Sequence, residues 1–251
     1  MKSIVLCNSA NPELALPYYE RYGFGTEIQQ FLDIMDNTDE MIEKYNNTLP
    51  DNIEKYMHAP YNDLCLGSKN KRIAEVTRLY FDYACDVAEK LGCKGVIVHH
   101  GYVPHTSYPA AWIERAVVFW NDFFSVHQSG INVFMENQFE HSPDMLIEII
   151  DRCNDSRLKI NLDVGHAHAF GKVPITQWIE KLNKRIAYVH LHQNYGENDE
   201  HLGLRKGNMK IHEVLSALEY HAPDAVWALE CDWGDMDESI SLLSELRYAV
   251  G

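Results

Sequence analysis

No two cysteines in this chain stand in C-x-x-C spacing. Cys7, Cys65, Cys85, Cys93, Cys153 and Cys231 are scattered, which excludes a zinc ribbon or a thioredoxin-type pair and reads as reduced thiols in a cytoplasmic protein. Long apolar runs are missing as well: nothing approaches the ~18 residues of a membrane span. The apolar stretch in the opening MKSIVLCNS is too short for a signal-peptide core. Positive charge is scarce, with 22 Lys and Arg against 37 Asp and Glu and a formal net charge of −15. Such a surface repels duplex DNA and acidic membranes, since it cannot displace their counterions. A glycine-rich dinucleotide turn, a linker, a compositional break and an internal repeat are also lacking, so a single domain over residues 1–251 is expected.

What is present is a core-forming composition, 46% hydrophobic with 24% charged, arranged as alternating strand and helix patterns. Strands are predicted at 4–6, 26–31, 53–59, 95–98, 131–135, 160–164, 186–191 and 226–229. Helices are predicted at 12–22, 38–46, 73–91, 110–127, 143–153, 174–182, 211–220 and 236–249. In the longest helix Ile73, Val76, Leu79, Tyr80, Tyr83, Ala84, Val87 and Leu91 trace one face, stopped by Gly92. Strict alternation implies parallel strands with right-handed crossovers, and eight units of about 30 residues close a (β/α)8 TIM barrel; a doubly wound open sheet is the rival.

Six successive strands end, in order, on His58, His99, Glu136, Asp163, His190 and Glu230. A barrel gathers its strand ends on one face, so these side chains are expected to meet in one polar bowl at the C-terminal face. There a divalent ion would offset the cost of crowding carboxylates. His166, Asp199 and His201 fall in the loops above, enough for a second or third ion. Among 13 histidines some coincidence is expected, and His100, His105, His168 and His192 are read as supporting or surface residues. The mixed imidazole and carboxylate set suits Zn2+ or Mn2+, one to three per chain, better than Ca2+. Trp112, Phe139 and Trp233 are candidate pocket walls. Arg205 and Lys206, in the unpatterned loop 193–207, are candidates for holding a phosphate or carboxylate.

HAPY at 58–61, VHHG at 98–101, MEN at 135–137, LDVGHAHAFG at 162–171, VHLH at 189–192, DEHL at 199–202 and LEC at 229–231 recur in this order nearly end to end. In this the chain resembles the xylose isomerase-like barrel superfamily, which holds sugar and sugar-phosphate isomerases and epimerases together with the endonuclease IV group. The resemblance implies one ion on Glu136, Asp163, His190 and Glu230 in the isomerase manner. In the endonuclease manner it implies a further ion on His58, His99 and Glu136, and a third on His166, Asp199 and His201. Tyr61 matches an aromatic that the endonucleases use on DNA and serves equally as a pocket wall. Two departures speak against the DNA reading. Arg205 stands where many relatives have glycine, and short loops leave little to prise out a nucleotide at a few kcal/mol of unstacking.

The expectation is therefore a divalent-metal-dependent isomerase or epimerase of a small sugar, sugar phosphate or related polyol ketone, working through an enediolate stabilised by the ion. Glu136 and Glu230 form the proton-transfer pair and His166 orients a substrate hydroxyl. The alternative is a zinc-dependent phosphodiester hydrolase of the endonuclease IV kind, and a non-catalytic binding module is the third class. The expected partner is a small sugar-like molecule, with neither nucleic acid nor membrane; a homo-oligomer is left open.

Overall fold

Eight short parallel strands pair in sequence order and the last returns to the first, closing a barrel. The computed structural model describes residues 2–8, 11–36 and 38–249. The strands are β1 (Ile4–Asn8), β2 (Gly25–Ile28), β3 (Lys55–His58), β4 (Gly95–His99), β5 (Asn132–Glu136), β6 (Leu158–Asp163), β7 (Ile186–Leu191) and β8 (Val226–Leu229). Around them run α1 (Leu16–Tyr22), α2 (Thr38–Thr48), α3 (Lys71–Leu91), α4 (Pro109–Val126), α5 (Asp144–Arg152), α6 (Val164–Phe170), α7 (Ile175–Leu182), α8 (Ile211–His221) and α9 (Met236–Glu245). The open-sheet rival is thereby excluded. No helix among the described residues is long and apolar enough to cross a membrane.

Inward-pointing side chains fill the barrel below its mouth. Tyr56, Phe134 and Tyr188 stack with ring centroids 4.7 to 6.0 Å apart, and Val5, Cys7, Ile97 and Ala228 complete the plug. The plug gives the site a dry floor. Gly95 makes room for it, because a Cβ there would lie 2.2 Å from the Phe134 ring. Outside the strands, Trp120, Trp178 and Trp227 are fully buried against the helices; burying one such large side chain is worth about 1.5–3 kcal/mol or more. At the lower end, Glu54 accepts hydrogen bonds from Ser3 Oγ (2.8 Å), Tyr56 Oη (2.7 Å) and Lys94 Nζ (2.8 Å), tying the starts of β1, β3 and β4.

Several boundaries differ from expectation for local reasons. The second strand stops at Ile28, since Gln29 turns its amide to Glu230 and Phe31 packs on Tyr45 at 5.7 Å. The first helix opens as a 3-10 turn, Pro12–Ala15; the turn before it includes Ser9 and Ala10, outside the described residues. Nine α-helices are described where eight were expected, because β6 runs straight into α6. Asp163 caps that helix, its Oδ1 accepting the His166 N–H at 2.6 Å. The face predicted for the long helix holds in its second half, at Ala84, Val87 and Leu91, and is corrected in its first. Phe81, Ala84, Cys85, Ala88 and Leu91 of α3 are buried, whereas Ile73, Val76 and Leu79 are 39%, 46% and 54% exposed. Apolar residues lie on most sides of this helix, so spacing alone does not single out the buried one.

Candidate metal centre

β3 to β7 end on His58, His99, Glu136, Asp163 and, one residue before the end of β7, His190, and Glu230 follows β8; the register sets neighbours side by side. His99 pairs with Glu136 across β4 and β5, and Asp163 with His190 across β6 and β7. Glu136, Asp163 and His190 are buried, and His58 nearly so. His190 is the hub. Its Nδ1 lies 3.0 Å from Glu230 Oε2, 3.3 Å from Glu136 Oε2 and 3.6 Å from Asp163 Oδ2. Its Nε2 is 3.0 Å from Glu27 Oε2, and a carboxylate can only accept, so the ring proton sits there. Nδ1 makes no hydrogen bond. Three carboxylate oxygens in a buried pocket call for positive charge at Nδ1, supplied by a second ring proton or, in its place, by a cation standing between them.

The acids are held so that one oxygen of each stays toward that point. Asp163 Oδ1 takes the His166 N–H, His192 Nε2 is shared between Oδ1 (3.1 Å) and Oδ2 (3.2 Å), and Oδ2 also faces His190. Glu230 Oε1 accepts from Gln29 Nε2 at 2.8 Å, leaving Oε2 inward. Glu136 Oε2 also accepts from Asn161 Nδ2 at 2.8 Å. Such outer contacts aim ligands and fix tautomers. Three further imidazoles show the same arrangement: Nδ1 of His58, His166 and His201 donates to the carbonyl oxygens of Ala59 (2.8 Å), Asn137 (2.9 Å) and Glu230 (2.8 Å). Their Nε2 atoms face the mouth, and those of His166 and His201 bond to Asp199. Asp199 Oδ2 sits between two of them, 3.1 Å from His166 Nε2 and 2.9 Å from His201 Nε2. His201 holds this position with φ of 47°, a left-handed backbone costly for a residue with a Cβ.

The electrostatics agree with a site made for positive charge. Burial alone would raise the carboxyls, but His99 and His190 hold Glu136, and His166 and His192 hold Asp163, well below the carboxylate range. His190 likewise brings Glu230 down to about 2 against the effect of burial. Burial would lower the imidazoles, yet Glu230, Glu27 and Glu136 lift His190 well above its ordinary value. Against burial again, the Asp199 hydrogen bond and Glu230 push His201 up to about 10. The donor set, mixed nitrogen and oxygen around an unpartnered buried nitrogen, fits a divalent cation.

Above the cluster opens a cavity of about 370 Å³. His58, Tyr61, His99, Glu136, His166, Asp199, His201, Glu230 and Trp233 line it together with Cys7, Gln29, Leu32, Cys231 and Asp232. Tyr61 stands 5.0 Å from the His99 ring and 5.4 Å from His58, with Trp233 on another wall. Other candidates lie elsewhere. Trp112 is buried behind the cavity, edge-on to His100 at 5.2 Å with Gly67 against its indole. Phe139 packs on Phe170 at 5.0 Å. Arg205 pairs with Glu245 and Lys206 with Asp235, both turned from the cavity; acids on neighbouring turns neutralise them.

Glu27, Gln29 and Asn161 belong to the centre and were not singled out from the sequence, whereas His192, read there as a supporting or surface residue, supports Asp163. Glu27 and Gln29 had a signal: two polar residues at i and i+2 of a barrel strand share its inner face. His192 reaches Asp163 because Gly165 has no side chain; a Cβ there would lie 1.9 Å from the His192 ring.

The family described as xylose isomerase-like TIM barrel matches residues 18–246. The uncharacterized protein MJ1311 of Methanocaldococcus jannaschii is 30% identical over 190 residues, covering 71% of this chain and 64% of that protein. The chain thus spans less than two thirds of that relative's length. Among solved structures, a D-tagatose 3-epimerase-like protein is similar at TM-score 0.78 and 26% identity over 98% of this chain and 96% of its own. An L-ribulose 3-epimerase is similar in fold, at TM-score 0.69 and 15% identity over 98% and 86%.

Proposed function

The chain belongs to the xylose isomerase-like TIM barrel family, and on that premise we propose that it is a divalent-metal-dependent isomerase or epimerase of a small polyol ketone or sugar. The observation that carries the proposal is the unpartnered His190 Nδ1, with Glu136, Asp163 and Glu230 around it. Those four residues would hold the ion. When bound, it supplies Lewis-acid polarisation of adjacent carbonyl and hydroxyl oxygens. Glu136 and Glu230 approach from β5 and the end of β8, each with a carboxylate oxygen at the mouth. One takes the proton from carbon and the other returns it. Gln29 and Asn161 keep those carboxylates from rotating. His166 and Tyr61 orient the substrate hydroxyls, and the Tyr56–Phe134–Tyr188 floor keeps water from below.

The cavity wall carries Glu136, Asp199, Glu230 and Asp232 and, among the described residues, neither lysine nor arginine. This favours an uncharged sugar over a sugar phosphate. The test is incubation of metal-loaded protein with a panel of ketoses and aldoses in D2O. Deuterium at the carbon beside the carbonyl, together with the epimer or isomer, is expected, and both should be lost in Glu136→Gln and Glu230→Gln. Metal-bearing protein that exchanges no carbon-bound proton on any member contradicts the proposal.

A second reading, phosphodiester hydrolysis, is favoured by one observation: Asp199 lies between the Nε2 atoms of His166 and His201, a set that would hold a second ion in place of the protons they share. Cleavage of duplex DNA bearing an abasic site would support it over the isomerase.

A further inference from the structure

We infer that Gln138 holds His99 in the tautomer protonated at Nε2, so that His99 is a hydrogen-bond donor to Glu136 and not a metal ligand. The Gly101 backbone N–H can only donate. The Gly101 N–H gives its hydrogen bond to Gln138 Oε1 at 3.0 Å, which fixes the orientation of the amide. Its NH2 therefore faces the other way, and Gln138 Nε2 lies 3.0 Å from His99 Nδ1. An NH2 has no lone pair to offer. His99 Nδ1 must then accept, and the ring's proton sits on Nε2, 3.2 Å from Glu136 Oε1. Turning the amide over would set its NH2 against the Gly101 N–H, donor against donor.

Gln138 is held in place from behind. Its own N–H donates to Glu140 Oε2 at 2.7 Å, and Glu140 Oε1 is 2.6 Å from His100 Nε2, both side chains buried. His99 is the exception among the imidazoles that face the mouth. The far nitrogen of His58, His166, His190 and His201 meets an acceptor oxygen, so that a proton can stay there when an ion takes the near one. In His99 the far nitrogen meets a donor. An ion between His58 and Glu136 would have those two protein ligands alone, short of the three of an open catalytic zinc site. The His58–His99–Glu136 position is therefore closed to metal, and His99 is a positioning residue that steadies Glu136 Oε1.

The inference rests on the metal-centre reading of the mouth, but the tautomer can be read in metal-free protein, so the two can fail separately. In 15N-labelled protein, long-range 1H–15N spectra of the His99 ring should show the proton on Nε2, before and after saturation with zinc. In Gln138→Glu, a carboxylate replaces the NH2 and accepts from Nδ1. The His99 proton should move to Nδ1 and zinc uptake rise by about one ion per chain. A wild-type ring protonated at Nδ1, or bound to zinc through Nε2, overturns the inference. So does a folded Gln138→Glu protein whose ring keeps its proton on Nε2.

Discussion

Glu27 shows what a single residue does at this centre. It does not line the cavity, yet its carboxylate accepts from His190 Nε2 and so turns Nδ1 toward Glu136, Asp163 and Glu230. Glu27→Ala should therefore leave the barrel folded and weaken zinc or manganese binding by about 10–100-fold, the usual cost of losing such a partner. Isothermal titration with the metal checks this, and unchanged affinity would mean that the tautomer is set by something else. Glu54 plays a structural part at the opposite end. Burial works to raise its carboxyl, but the Lys94 ammonium with the Tyr56 and Ser3 hydroxyls outweighs it, leaving the group below its usual range. A folded value below the unfolded one means a contribution that is full above the ordinary glutamate pKa of about 4.3 and lost as pH falls through the lower folded value. Denaturant titrations should find Glu54→Gln less stable than wild type at neutral pH, the gap narrowing in acid. A gap independent of pH contradicts the assignment.

At the scale of elements, the junction of β6 and α6 is where fold and site depend on one another. Asp163 ends the strand, caps the helix and faces the ion position, while Gly165 leaves space for His192 to brace it. Gly165→Ala should cost about 1–3 kcal/mol as an overpacked position and should lower metal affinity, because His192 must leave Asp163. Thermal unfolding with and without metal measures both, and a variant with wild-type affinity would show that His192 does not matter there. This junction also marks the limit of what the residues reveal unaided. The strand-end positions of Glu136, Asp163, His190 and Glu230 were legible, since each follows an apolar run whose length and position were clear, as in β7. The merging of β6 into α6 was not legible, because a strand-ending aspartate and a helix-capping one look alike. The inward face of the first half of α3 was hidden by apolar residues on its other sides. Arg205 and Lys206 looked free because their acidic partners, Glu245 and Asp235, are 40 and 29 positions away.

For the whole molecule, closure of the barrel converts residues spread from Glu27 to Glu230 into one buried acidic centre above an aromatic floor. The net charge of −15 and the acid-lined cavity act together to draw in cations and to disfavour phosphate-bearing molecules. The direct measurement of the central claim is anomalous diffraction at the metal edge from crystals soaked in manganese or zinc. The account predicts a strong peak about 2.0–2.2 Å from His190 Nδ1 and from carboxylate oxygens of Glu136, Asp163 and Glu230. Metal bound elsewhere on the molecule, with no peak among those four residues, would contradict it.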